Sequence, residues 1–73
     1  MYKIYSKSGC IFCDAAMDLL NKKNIQFEEI KVHLNEDAMN LFRQRKWSTV
    51  PQIFDDKGTH IGGYEDLKKM LNP

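Results

Sequence analysis

The sequence predicts an α/β domain spanning residues 1–73, a mixed four-stranded sheet with helices on both faces and its elements in the order βαβαββα. Three observations carry this. Two short β-favouring stretches alternate with two stretches whose apolar residues recur at helical spacing, the pattern of strand–helix–strand units. Asp55-Asp56-Lys57-Gly58 has turn chemistry and sits between two short apolar segments, which reads as a hairpin. A last amphipathic stretch, with Leu67, Met70 and Leu71 on one face, closes the chain.

Residues 2–5 are β-favouring, with Ile4 flanked by Tyr2 and Tyr5, and predict a first strand ending near Ser6. Ser8-Gly9 breaks the pattern. From Ile11 to about Asn24, Ala15, Ala16, Met17, Leu19 and Leu20 line one side, while Asp14, Asp18, Asn21, Lys22 and Lys23 line the other. Asp14 near the start and Lys22-Lys23 near the end complement the dipole of this first helix. The segment Ile25–Val32 alternates well enough for a strand, although the doubled glutamates Glu28-Glu29 blur its register. Asn35 then caps a second helix containing Ala38, Met39, Leu41 and Phe42, which ends in the basic cluster Arg43, Arg45 and Lys46. Trp47-Ser48 opens a loop; Gln52-Ile53-Phe54 and Thr59-His60-Ile61 are the hairpin arms; Gly62-Gly63 leads into a third helix over Tyr64–Leu71. The first two strands, joined through a helix, are expected to be parallel.

The composition, 42% hydrophobic and 29% charged over 73 residues, suits a soluble globular chain with a thin core. The N-terminal residues lack the apolar run of a secretory signal and no segment reaches the length of a membrane span, so a reducing cytosol is the expected location and no membrane partner is expected. Eleven basic against ten acidic residues give a net charge of +1, too balanced for nucleic acid to be the main partner.

The chemistry concentrates in Cys10-Ile11-Phe12-Cys13. A bridge three residues apart closes a tiny loop and restricts the unfolded chain little, so stapling is a poor explanation for the pair. At the mouth of a helix, unpaired N–H groups and the dipole favour the thiolate of Cys10. Cys13, one turn further in, is placed to resolve a mixed disulfide on Cys10. Lys7 adds positive charge three residues before the nucleophile. The same spacing also supplies half of a zinc site, with His33 and His60 as further donors, or two buried structural thiols. The histidines lack paired spacing, however, and a strand-to-helix C-x-x-C with Gly9 beside it favours redox chemistry; His33 and His60 are then surface residues at strand ends.

Tyr5-Ser6-Lys7-Ser8-Gly9-Cys10-Ile11-Phe12-Cys13, Thr49-Val50-Pro51-Gln52-Ile53-Phe54 and His60-Ile61-Gly62-Gly63-Tyr64-Glu65-Asp66-Leu67, in that order, resemble the glutaredoxins over nearly the whole chain. The resemblance implies a thioredoxin-like fold, glutathione as reducing co-substrate, a cis Val50–Pro51 bond and no metal. It implies that glutathione pairs with the backbone of Thr49, Val50 and Pro51 like an added strand and passes Phe12. Gly63 and the N–H groups of Tyr64, Glu65 and Asp66 would hold its γ-glutamyl carboxylate, Asp66 would face its ammonium, and Lys7 or Arg43 would meet its glycine carboxylate. A monomer is implied, reducing client proteins with disulfides, ribonucleotide reductase among them by analogy, and glutathione mixed disulfides. Three departures stand out. Ile11-Phe12 replaces the Pro-Tyr common between the cysteines, Glu65 stands where a small residue is usual, and Trp47, a platform for clients or a packed loop aromatic, does likewise. Two other roles stay open: a glutaredoxin-like donor recharged by thioredoxin reductase, which the intact Gly62–Asp66 segment disfavours, and a carrier of an iron–sulfur cluster held by Cys10 and glutathione from two protomers.

Overall fold

Strand β1 (Tyr2–Ser6) alternates its side chains between two cores, and the rest of the chain is arranged around it. In the computed structural model, which describes residues 1–72, it is followed by α1 (Ile11–Lys22), β2 (Phe27–Lys31), a 3-10 turn (Val32–Leu34), α2 (Glu36–Arg45), β3 (Gln52–Phe54), β4 (His60–Gly62) and α3 (Tyr64–Leu71). The strands form one mixed sheet in the order β2-β1-β3-β4. β1 runs parallel to β2, with Ile4 opposite Glu29, and antiparallel to β3, with Ile4 opposite Ile53 and Tyr5 opposite Gln52. β3 and β4 form the antiparallel hairpin, with an irregularity at Ile53/Phe54.

Because successive strand residues face opposite ways, Ile4 and Ile53 point to one side and Tyr5 and Gln52 to the other. On the first side they meet Ala16 and Leu20 of α1 and Leu67 of α3, and all five are fully buried. Sealing a leucine or isoleucine side chain from water contributes roughly 1.5–3 kcal/mol. On the second side Val32, Ala38 and Phe42 form a smaller core with Tyr5, Ile30, Met39, Trp47 and Val50 around it, so α2, the 3-10 turn and the loop before β3 cover that face.

Apart from an added 3-10 turn, the element order agrees with the pattern read from the sequence; the end of the first helix and both ends of the second strand move, and the last strand runs His60–Gly62 rather than Thr59–Ile61. α1 stops at Lys22, because Asn24 enters the left-handed region at φ 57° and the Ile25 N–H turns back to the Leu20 carbonyl at 2.9 Å. Ile25 therefore closes the helix, and the strand begins at Phe27. At its other end Val32 leaves the strand for the 3-10 turn, where its carbonyl accepts from the Asn35 N–H at 3.2 Å and its side chain is buried among Ala38 and Phe42. Asn35 caps α2 as expected, its Oδ1 accepting from the Ala38 N–H at 2.9 Å.

The topology delivers three chain segments to one end of the molecule: the β1–α1 loop with Cys10, the loop entering β3 with Thr49-Val50-Pro51, and the β4–α3 junction with Gly62-Gly63. At the exit of β1 the fully buried Ser6 donates its hydroxyl to Glu29 Oε2 on β2 at 2.7 Å, tying the start of the cysteine loop to the sheet.

Candidate active site

Cys10 is the N-cap of α1: its backbone is extended (φ −102°, ψ 108°), its carbonyl takes the first helical hydrogen bond from Asp14 N–H at 3.1 Å, and its sulfur accepts from the Cys13 N–H at 3.1 Å. The sulfur thus occupies the place where a serine or aspartate oxygen usually satisfies an orphan N–H, and negative charge there is favoured by that donor and by the helix dipole. Cys10 and Cys13 are joined by a disulfide, their Cα atoms 5.2 Å apart. The two sulfurs differ in access. Cys13 is fully buried beneath the first turn, whereas Cys10 is half-buried at the helix mouth. Cys10 is the more accessible of the two sulfurs.

Opposite the sulfur lies the loop before β3. The Val50–Pro51 bond is cis, as the family resemblance implied, and the Val50 carbonyl oxygen lies 3.9 Å from Cys10 Sγ. Phe12, Thr49, Val50, Pro51, Gly63, Tyr64, Glu65 and Asp66, eight of the residues singled out from the sequence, line one open cleft of about 250 Å³. Phe12, 58% exposed, leans toward Tyr64 across it, with ring centroids 6.1 Å apart. Sharing Thr49 and Val50, a second cleft of about 210 Å³ continues away from α3 and is lined by Lys7, Val32, Phe42, Trp47 and Ser48.

The two ends of this groove differ in charge. Lys7, exposed, supplies an ammonium at one end. At the other, the N–H groups of Tyr64, Glu65 and Asp66 form the first turn of α3, where no intrahelical acceptor reaches them. The carboxylates of Glu65 and Asp66 lie on the same side, and Asp66 Oδ2 accepts from the Gly63 N–H at 3.1 Å, fastening the start of the helix.

Arg43 is not brought to the groove: it is exposed on α2, donates to Asn40 Oδ1 at 2.8 Å and lines neither cleft. Trp47 is a packed loop aromatic, half-buried against Phe42, Phe54 and His60, with part of its ring lining the second cleft. His33 lies beside Ser8, 3.5 Å from its hydroxyl, while His60 bonds to Gln52, and among the described residues no group of three or more His, Cys, Asp or Glu side chains converges as a metal site. The only signal of the His60–Gln52 pair in the sequence is a polar residue at the head of an otherwise apolar strand.

A four-stranded mixed sheet with a dithiol at the mouth of the helix after its first strand defines a thiol–disulfide oxidoreductase of the thioredoxin fold. Residues 3–61 match the glutaredoxin family model, and the chain belongs to the glutaredoxin family. It is 43% identical over 67 residues to Glutaredoxin 1 of Rickettsia prowazekii, covering 88% of this chain and 70% of that protein. It is 41% identical over 68 residues to the Hybrid peroxiredoxin hyPrx5 of Haemophilus influenzae, covering 93% of this chain but only 28% of the longer relative. The solution structure of glutaredoxin from Brucella melitensis superposes with a TM-score of 0.79 at 30% identity, covering 97% of this chain and 77% of that one.

Proposed function

We propose that this chain is a glutathione-dependent dithiol–disulfide oxidoreductase that reduces protein disulfides and glutathione mixed disulfides. The observation that carries the reading is the groove beside Cys10, which has a peptide-like backbone wall at Thr49–Pro51, a cation at one end and a helix N-terminus flanked by carboxylates at the other. Glutathione has the matching pattern: a carboxylate at its glycine end, a central cysteine, and a carboxylate with an ammonium at its γ-glutamyl end.

In the reduced enzyme the Cys10 thiolate attacks a sulfur of the substrate disulfide. A Cys10–substrate mixed disulfide forms, and the other substrate sulfur leaves as a thiolate and takes up a proton. Cys13 attacks Cys10 Sγ and expels the second substrate thiol, giving the Cys10–Cys13 disulfide seen here. One glutathione opens that disulfide to a Cys10–glutathione adduct; a second attacks the glutathione sulfur, releasing oxidised glutathione and restoring both thiols. When the adduct already carries glutathione, Cys13 is dispensable. Lys7 draws the glycine carboxylate and the first turn of α3 the γ-glutamyl one, which sets the glutathione sulfur over Cys10. Phe12 covers the cleft edge, and Glu65 opposes the bound carboxylate.

Coupling to glutathione, glutathione reductase and NADPH tests the reading: saturable NADPH oxidation with a glutathionylated peptide is expected. Absence of turnover there, with reduction by thioredoxin reductase instead, refutes glutathione as the reductant.

A further inference from the structure

The buried amide of Gln52 links the candidate groove to a histidine outside it. Gln52 is 8% exposed and faces the α2 side of the sheet, where a side-chain amide must find partners within the protein. Its Nε2 lies 3.2 Å from the Thr49 carbonyl oxygen and 3.4 Å from Thr49 Oγ1, and its Oε1 lies 2.8 Å from His60 Nε2. The chemistry of these atoms fixes the direction of the chain. A carbonyl only accepts, so the Gln52 nitrogen must face Thr49; its oxygen then faces His60, whose Nε2 must carry the proton. A flipped amide would set two oxygens against each other.

The histidine is itself held. Its ring stacks on Trp47 with centroids 4.8 Å apart and planes 28° from parallel, and Phe54 lies 5.0 Å away. Trp47 in turn stands edge-on to Phe42 of α2 at 5.2 Å. The ring plane is therefore set by the second core, and the direction of its N–H with it. That N–H orients the amide, and the amide holds the carbonyl of Thr49, the residue immediately before Val50–Pro51. His60 lines neither part of the groove.

We infer that His60 is a positioning residue: its Nε2–H, relayed by the Gln52 amide, holds the Thr49–Val50 backbone in the geometry that receives the glutathione moiety. The inference rests on the glutathione-dependent reading above and adds to it a residue that touches neither substrate nor sulfur. Stacking alone would be served as well by phenylalanine, and the donor is what phenylalanine lacks.

Three variants separate these roles. His60→Phe keeps an aromatic ring on Trp47 and removes the donor; His60→Gln restores a donor at about the same reach without the ring; Gln52→Met removes the relay at similar volume. With a glutathionylated peptide in the coupled assay, loss of one such bond should raise KM about 3- to 10-fold in His60→Phe and in Gln52→Met, with kcat within about twofold. His60→Gln should return KM to within about twofold of wild type, and the double variant His60→Phe/Gln52→Met should be no worse than Gln52→Met alone, because both break the same chain. Wild-type KM in His60→Phe overturns the inference, as do equal KM values in His60→Phe and His60→Gln. A fall of kcat together with the thermal midpoint in His60→Phe overturns it too, since that is the signature of packing alone. If wild type itself shows no saturable turnover of the peptide, the glutathione-dependent reading fails and this one falls with it; turnover by wild type with an unchanged variant removes the inference alone.

Discussion

Gly62→Ala should damage stability and substrate affinity together, and the structure gives the size of the first. Gly62 has φ +121°, a region closed to residues with a Cβ, and holding alanine there costs about 1–3 kcal/mol. A Cβ at this position would also overlap Asp66 Oδ2 and stand 2.9 Å from its Cγ. Asp66 must then swing away and give up the Gly63 N–H, a helix-start bond worth about 1 kcal/mol. The total is about 2–4 kcal/mol, and at about 4–8 °C per kcal/mol for a domain of this size the thermal midpoint should drop by about 8–32 °C. Calorimetric unfolding measures this directly, and the coupled assay should show a raised KM because the first turn of α3 moves with Asp66. The double variant Gly62→Ala/Asp66→Ala isolates the clash. Asp66→Ala alone loses the same bond, so the two changes should fall short of additivity by about 1 kcal/mol. A midpoint for Gly62→Ala within 2 °C of wild type, or strict additivity, would show that neither the backbone strain nor the Asp66 clash at Gly62 matters.

Asn35→Ala removes the acceptor for the Ala38 N–H at the start of α2, where Asn35 lines neither cleft, and should lower the midpoint by about 4–8 °C for about 1 kcal/mol while leaving turnover unchanged; an unmoved midpoint contradicts the cap. Glu65→Gln removes a negative charge from the cleft wall where a carboxylate of glutathione is proposed to sit, and should lower KM about two- to fivefold at low salt, less at high salt; a raised KM would place the Glu65 carboxylate among the groups that hold the ligand.

Much of this was legible in the sequence because local signals and tertiary demands agree. The apolar spacing of α1, the Asn35 cap and the Asp55–Gly58 turn each specify one local structure, and burial of Leu20, Phe42 and Ile53 confirms the same choice. The ends of β2 were less legible, because alternation cannot distinguish an extended residue from one that closes a helix or enters a 3-10 turn. Ile25 is held by a bond to Leu20, and Val32 by its place in the second core. At the site, the cysteines and the residues of the cleft were readable from motifs that the fold brings together. Arg43 lines neither cleft and turns to Asn40, because charge on α2 says nothing of which way a side chain leaves the helix. His60 was read as a surface residue; it is exposed, but its partners Trp47, Phe54 and Gln52 come from the preceding loop and strand, and only the register of β3 against β4 aligns them.

The central claim is that Cys10 attacks first and that the groove beside it selects the glutathione half of a mixed disulfide. Cys13→Ser, reduced and then mixed with one equivalent of a glutathionylated peptide, traps whichever half Cys10 captures, and intact-mass analysis with peptide mapping identifies it. A single glutathione adduct on Cys10 is expected, with the peptide released as a free thiol, and no adduct when Cys10 is also serine. Capture of the peptide on Cys10 with glutathione released would contradict the claim.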